Sequence, residues 1–143
     1  MASKRSSTSR ELGDAEYQRL AQFRYALRQF LHFSDDAARQ AGLNPQQYQL
    51  LVLVRGFTPG EEPTVGAVAK RLLIKHHSAV GLVDRLEAEG LLVRKRDGID
   101  GRKVTLALTG KAETVLNLLV GAHRKELRRL VPLMKPLLAE LGL

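Results

Sequence analysis

"TVGAVAKRLLIKHHSAVGLVDRLEAEGLLVRKRDGIDGRKVTLALT", residues 64–109, changes its periodicity twice, and those changes decide the fold. "TVGAVAKRLL" sets Val65, Val68, Ala69 and Leu72 on one face of a short helix. "IKHH" breaks that pattern, and "SAVGLVDRLEAEG" resumes it until Gly90, a natural C-terminal stop. Two short helices joined by a tight connection of about four residues have the spacing of a helix-turn-helix. Ala69 stands where the helices cross too closely for a large side chain. Val68, Leu72, Ile74, Ala79, Leu82, Val83 and Leu86 supply the apolar contacts that fix the crossing. The period then shortens to that of strands: "LLVRKR" at 91–96 and "RKVTLAL" at 102–108 flank the turn-rich "DGIDG". Helix, helix and basic hairpin, in that order, predict a winged helix.

The segments on either side are helical. "GLNPQQYQLLVLVRGF" opens with Asn44 as N-cap, Pro45 at the first helical position and Gln47 where a capping box needs it. This helix should end near Arg55, before the turn chemistry of "TPGEEP". Between Glu16 and Gln40 runs a helix with two apolar stripes. One comprises Tyr17, Leu20, Leu27, Leu31, Ser34 and Ala38; the other Phe23, Ala26, Phe30, Phe33 and Ala37. A surface helix needs one stripe. Two imply either a helix central to a monomeric core or one that also packs against a second body. After Thr109 another helix sets Leu116, Leu119, Val120, Leu127 and Leu130 on one face, with Pro132 and Pro136 expected to bend or interrupt it.

Composition narrows the functions open to such a chain. The 143 residues are 44% hydrophobic, enough for a real core, and contain no cysteine, which removes disulfides, thiolate metal sites and thiol redox chemistry. No apolar run approaches the roughly 20 residues that span a bilayer, and the polar "MASKRSSTSR" lacks the apolar segment of a secretory signal, so a cytoplasmic location with no membrane partner is expected. The net charge is +8, of which +5 falls within residues 64–111. A cationic excess concentrated on one segment suits a nucleic-acid partner, whereas a basic surface kept for solubility needs no such focus. No phosphate loop, Ser/His/Asp set, paired carboxylates, metal triad or cofactor motif is present, so an enzyme is not expected. His76 and His77 are adjacent and diverge by about 100° on a helix, a poor arrangement for one metal ion.

The quoted segment resembles the DNA-binding region of the MarR family of bacterial transcriptional regulators. The likeness is carried by "LVDRLEAEGLLVRKR", by Asp100 and Arg102 in a D-x-R wing, and by the closing "LALT". "FSDDAARQAGLNPQQYQLLVLV" resembles the family's end of helix 1 and its helix 2. The wing is slightly shorter than is usual in the family and lacks the proline often found there, and Ala112 stands where the family commonly has glycine.

The resemblance implies a mainly α fold with a small β-hairpin wing. A tail over 1–12 would precede a single domain over 13–143, with dimerisation helices at 16–41 and 110–143 and a winged helix-turn-helix at 44–109. It further implies a homodimer on a pseudo-palindromic double-stranded operator, acting as a repressor released by a small-molecule effector or other signal. A recognition helix over 76–89 would enter the major groove and a wing over 93–106 the minor groove. At the helix, Lys75 and Ser78 suit phosphates, His76 and His77 suit base edges or backbone, Val80 suits a thymine methyl, Gly81 permits close approach and Arg85 lies on the flank. On the wing, Arg94, Lys95, Arg96, Arg102 and Lys103 are the cations for phosphate or minor groove, with Asp100 bracing Arg102. Tyr25, Phe30, Phe33 and Tyr48 are the candidate effector pocket. The competing reading is a winged-helix protein–protein adaptor with little specific DNA binding.

Overall fold

The computed structural model describes residues 11–97 and 103–140. Five helices and one hairpin follow in the order α1 Asp14–Gln40, α2 Pro45–Arg55, α3 Val65–Leu72, α4 His76–Ala88, β1 Leu92–Asp97, β2 Lys103–Leu108 and α5 Gly110–Glu140. Each start has a local cause. Asn44 caps α2 through the expected box: the Gln47 N–H donates to Asn44 Oδ1 at 2.8 Å, and the Asn44 N–H donates to Gln47 Oε1 at 3.0 Å. Thr64 caps α3 by accepting from the Ala67 N–H at 3.2 Å. Beyond α4, Gly90 takes φ +74°, a left-handed turn that costs glycine little, and the Leu91 N–H closes on the Leu86 carbonyl at 2.9 Å.

The core lies inside the winged helix and is closed by the two long helices. Leu50, Leu51, Val68, Val83, Leu86 and Leu92 are fully buried, with Ala69 buried at the α3–α4 crossing. The antiparallel hairpin pairs Leu92 with Leu108, Arg94 with Leu106 and Arg96 with Val104. Its inner strand is further pinned where the Leu106 N–H donates to the Pro63 carbonyl at 2.9 Å, just ahead of α3. A second knot joins the far end of α4 to the start of α5. Thr109 Oγ1 donates to the Gly90 carbonyl at 2.7 Å, Lys111 Nζ to the Glu89 carbonyl at 2.9 Å, and Gln47 Nε2 to Glu89 Oε1 at 3.2 Å.

One sequence expectation is narrowed here. The helix expected to bend or be interrupted at Pro132 and Pro136 runs uninterrupted through both to Glu140. The prolines lie four apart, so their missing donors fall on one side of the helix, where both rings are exposed and water can satisfy the freed carbonyls. The two stripes of α1 also part company. Ala26 and Ala37 of the second stripe are buried and its phenylalanines half-buried, while Tyr17, Leu20, Leu27 and Leu31 of the first remain exposed. α5 matches them with exposed Leu118, Val120, Leu127, Val131, Leu133 and Leu138. The core of one protomer therefore buries only Ser34 and Ala38 at the C-terminal end of the first stripe and leaves the rest exposed. No described helix is long and apolar enough to cross a membrane.

Candidate nucleic-acid interface

Two elements form this surface, α4 and the hairpin. α4 buries Ala79, Leu82, Val83 and Leu86 against the core, which turns the first turn outward. Lys75, His76, His77 and Ser78 are all exposed, and Val80 and Gly81 are half-exposed on the presented face. A Cβ built at Gly81 meets only Arg85 Nη2, at 3.9 Å. The glycine is therefore not required by packing within the protomer, and Arg85 reaches across the shallow spot it leaves.

The turn into α4 contains the one non-glycine residue with positive φ among those described. Leu73 adopts φ 56°, ψ 39° and is 91% exposed. A leucine in the left-handed region is held against its own steric preference, and no burial compensates it.

The cations divide into two sets. Lys75, Arg85, Lys95 and Arg96 are exposed and point into solvent. Arg94 and Lys103 are engaged within the chain. Arg94 Nη2 lies 2.6 Å from Asp84 Oδ1 and Nη1 lies 2.6 Å from Glu87 Oε2, while Lys103 Nζ lies 2.9 Å from Glu62 Oε2. The hydrogen bond to Asp84 is the main reason that the Arg94 guanidinium holds its proton even more firmly than usual. In the sequence Arg94 and Lys103 cannot be told from Lys95 and Arg96, because nothing there places Asp84, Glu87 and Glu62 beside them. Asp100 and Arg102 lie outside the described residues.

A cavity of about 520 Å³ opens between α2 and α5, lined by Tyr48, Val52, Arg55, Leu116, Val120, His123, Arg124 and Leu127 among others. Of the four expected pocket residues the structure brings only Tyr48 here. Tyr25, Phe30 and Phe33 belong to α1, and Tyr25 instead borders a shallow groove with Arg28 and His32 on that helix. The residue that sequence reasoning missed is His123, whose ring stacks on Tyr48 at 5.0 Å between centroids with planes 18° apart. Its Nε2 is buried without a hydrogen-bond partner among the described residues, and burial lowers its pKa. Burial likewise raises that of Tyr48. At the rim Arg55 Nε pairs with Glu113 at 3.1 Å. No group of three potential metal ligands occurs among the described residues; His32 pairs with Asp36 at 3.4 Å instead.

A helix-turn-helix with an outward-facing second helix, buttressed by a cationic hairpin, defines a winged-helix protein of the DNA-binding class. The chain matches the model of the MarR family over residues 41–103. It is similar to the HTH-type transcriptional regulator YkoM of Bacillus subtilis (strain 168), with 29% identity over 75% of this chain and 70% of that protein. Its fold superposes on AbsC, a MarR family transcriptional regulator from Streptomyces coelicolor, with a TM-score of 0.71, 20% identity and coverage of 93% and 90% of the two chains. CouR from Rhodococcus jostii RHA1, solved bound to p-coumaroyl-CoA, gives a TM-score of 0.62 at 27% identity over 73% of this chain and 71% of that one. These relatives favour a DNA-binding transcriptional regulator over the adaptor reading.

Proposed function

We propose that the protein is a homodimeric repressor that places α4 in the major groove and the hairpin over the adjacent minor groove of a pseudo-palindromic operator, and that a small molecule in the α2–α5 cavity releases it. The observation that carries the DNA-binding surface is the presented turn of α4, where His76, His77 and Ser78 stand exposed beside a glycine that internal packing does not require. His77 and Val80 then face base edges, and Lys75, Lys95 and Arg96 face phosphates. The uncovered leucines of α1 and α5 support the homodimer, since an apolar face of that extent on both long helices is the mark of a partner surface. A cavity of about 520 Å³ with a largely apolar lining, which includes an imidazole whose Nε2 has no hydrogen-bond partner among the described residues, supports the effector site, and CouR is a related fold solved with a small molecule bound.

The test is fluorescence anisotropy on a duplex that the protein itself enriches from a random pool, beside a scrambled duplex of equal length and over a series of salt concentrations. Preference for the enriched duplex with a steep salt dependence is the expected result. Binding that ignores sequence leaves an architectural role, and no binding at low salt returns the adaptor to the front.

A further inference from the structure

The wing begins with three consecutive cations, Arg94, Lys95 and Arg96, yet only the first is turned inward. Arg94 is 30% exposed, and its two terminal nitrogens grip two carboxylates of α4 at 2.6 Å each. Those carboxylates, Asp84 and Glu87, are three residues apart, one helical turn, so a planar guanidinium fork can take both at once. Asp84 is 60% exposed and Glu87 42%. Two solvent-facing carboxylates on a helix offered to a phosphate polyanion repel it unless a cation answers them. Lysine, a point charge, would not hold two oxygens in one plane.

We propose that Arg94 is a positioning residue rather than a phosphate contact. It fixes the angle between hairpin and α4, so that major-groove and minor-groove contacts fall in register. Asp84 and Glu87 consequently favour operator binding despite their charge. This role rests on the DNA-binding reading above.

The experiment compares Arg94→Ala, the double variant Asp84→Asn/Glu87→Gln and Lys95→Ala with the parent chain, on the enriched and scrambled duplexes across salt. Lys95→Ala is the reference for a phosphate contact: it should weaken both duplexes alike and reduce the salt slope by about 0.9 for each protomer bound. Arg94→Ala should leave the slope unchanged while the preference for the enriched duplex falls about tenfold, the size of a lost bidentate contact. The double variant removes two negative charges, which simple electrostatics says must tighten binding. Here it should lose preference in the same way as Arg94→Ala. It also keeps side-chain size, so it remains informative if Arg94→Ala does not fold. A reduced slope in Arg94→Ala, or tighter and undiminished preference in the double variant, overturns the positioning role alone. A parent chain that enriches no duplex overturns the DNA-binding reading and this role with it.

Discussion

Leu73 and Gly81 stand eight positions apart and ask opposite questions. At Leu73 a side chain sits where glycine is comfortable, at φ 56° and 91% exposed. Relief of left-handed strain is worth about 1–2 kcal/mol, and the extra freedom of unfolded glycine returns part of that. Leu73→Gly should therefore raise unfolding stability by about 0.5–1 kcal/mol, read as a higher denaturant midpoint at constant slope. No gain would mean that the exposed leucine has contacts in solution that offset its strain. At Gly81 the reverse holds, because a methyl group meets nothing closer than 3.9 Å within the chain. Gly81→Ala should stabilise α4 by up to about 1 kcal/mol. If the glycine exists for close approach to DNA, the same variant should bind the enriched duplex more weakly. A variant that is more stable and binds equally well would show Gly81 to be incidental. The helical place of Gly81 was legible in the sequence, whereas the left-handed turn at Leu73 was not, since no local pattern there announces it. The Asn44–Gln47 box was legible because both partners lie within one turn.

Among the elements, the seam between α2 and α5 should respond to pH through His123, whose Nε2 is buried without a hydrogen-bond partner among the described residues. The titratable and charged groups lining it are Tyr48 and Arg55 from α2, and Glu113 and Arg124 from α5 itself; Glu113 is already committed to Arg55. Burial lowers the imidazole pKa below its ordinary 6.5. The unfolded chain thus takes up the proton first, so stability contributed by the neutral ring is full above pH 6.5 and is lost as pH falls through the lowered folded value. Unfolding measured from pH 7.5 to 5 should show this decline, and His123→Phe, which keeps the stack, should flatten it. An unchanged decline in His123→Phe would assign it to other groups. The Tyr48–His123 pair was beyond the sequence because its members are 75 positions apart and each looks like ordinary core. α5 taught the converse lesson. Pro132 and Pro136 read locally as breaks, yet the helix continues because both fall on its exposed side.

At the scale of the whole molecule, the proposed homodimer makes the sharpest claim. Leu118, 74% exposed on α5, and Leu20, Leu27 and Leu31 on α1 lie on the faces that the partner protomer would cover. Sedimentation should give twice the 15.9 kDa of one chain, and Leu118→Glu should shift the population toward monomer and cost operator affinity in parallel. A single-chain mass for the parent protein would remove the dimer. Order and type of elements were readable from residues 64–109 because helix period, turn and strand period alternate there within 46 residues. The pairing of charges was not. Lys103 and Glu62 are 41 positions apart, and no pattern in the chain announces that one neutralises the other.

The knot of Thr109, Lys111, Gly90, Glu89 and Gln47 has a further meaning for what evolution can tune separately. It fastens the end of α4 to the start of both α2 and α5, so in the proposed dimer a shift of the long helices should carry α4 with it. The distance between the two recognition helices of that dimer would then be set by the long helices, while the bases each protomer reads would be set by α4 and the wing braced against it. Substitutions far along α1 or α5 should change which gap between half-sites is accepted without altering the half-site itself. Substitutions at His77 or Val80 should rewrite the half-site and leave the gap untouched. Selecting duplexes with half-sites set at different gaps separates those two inheritances.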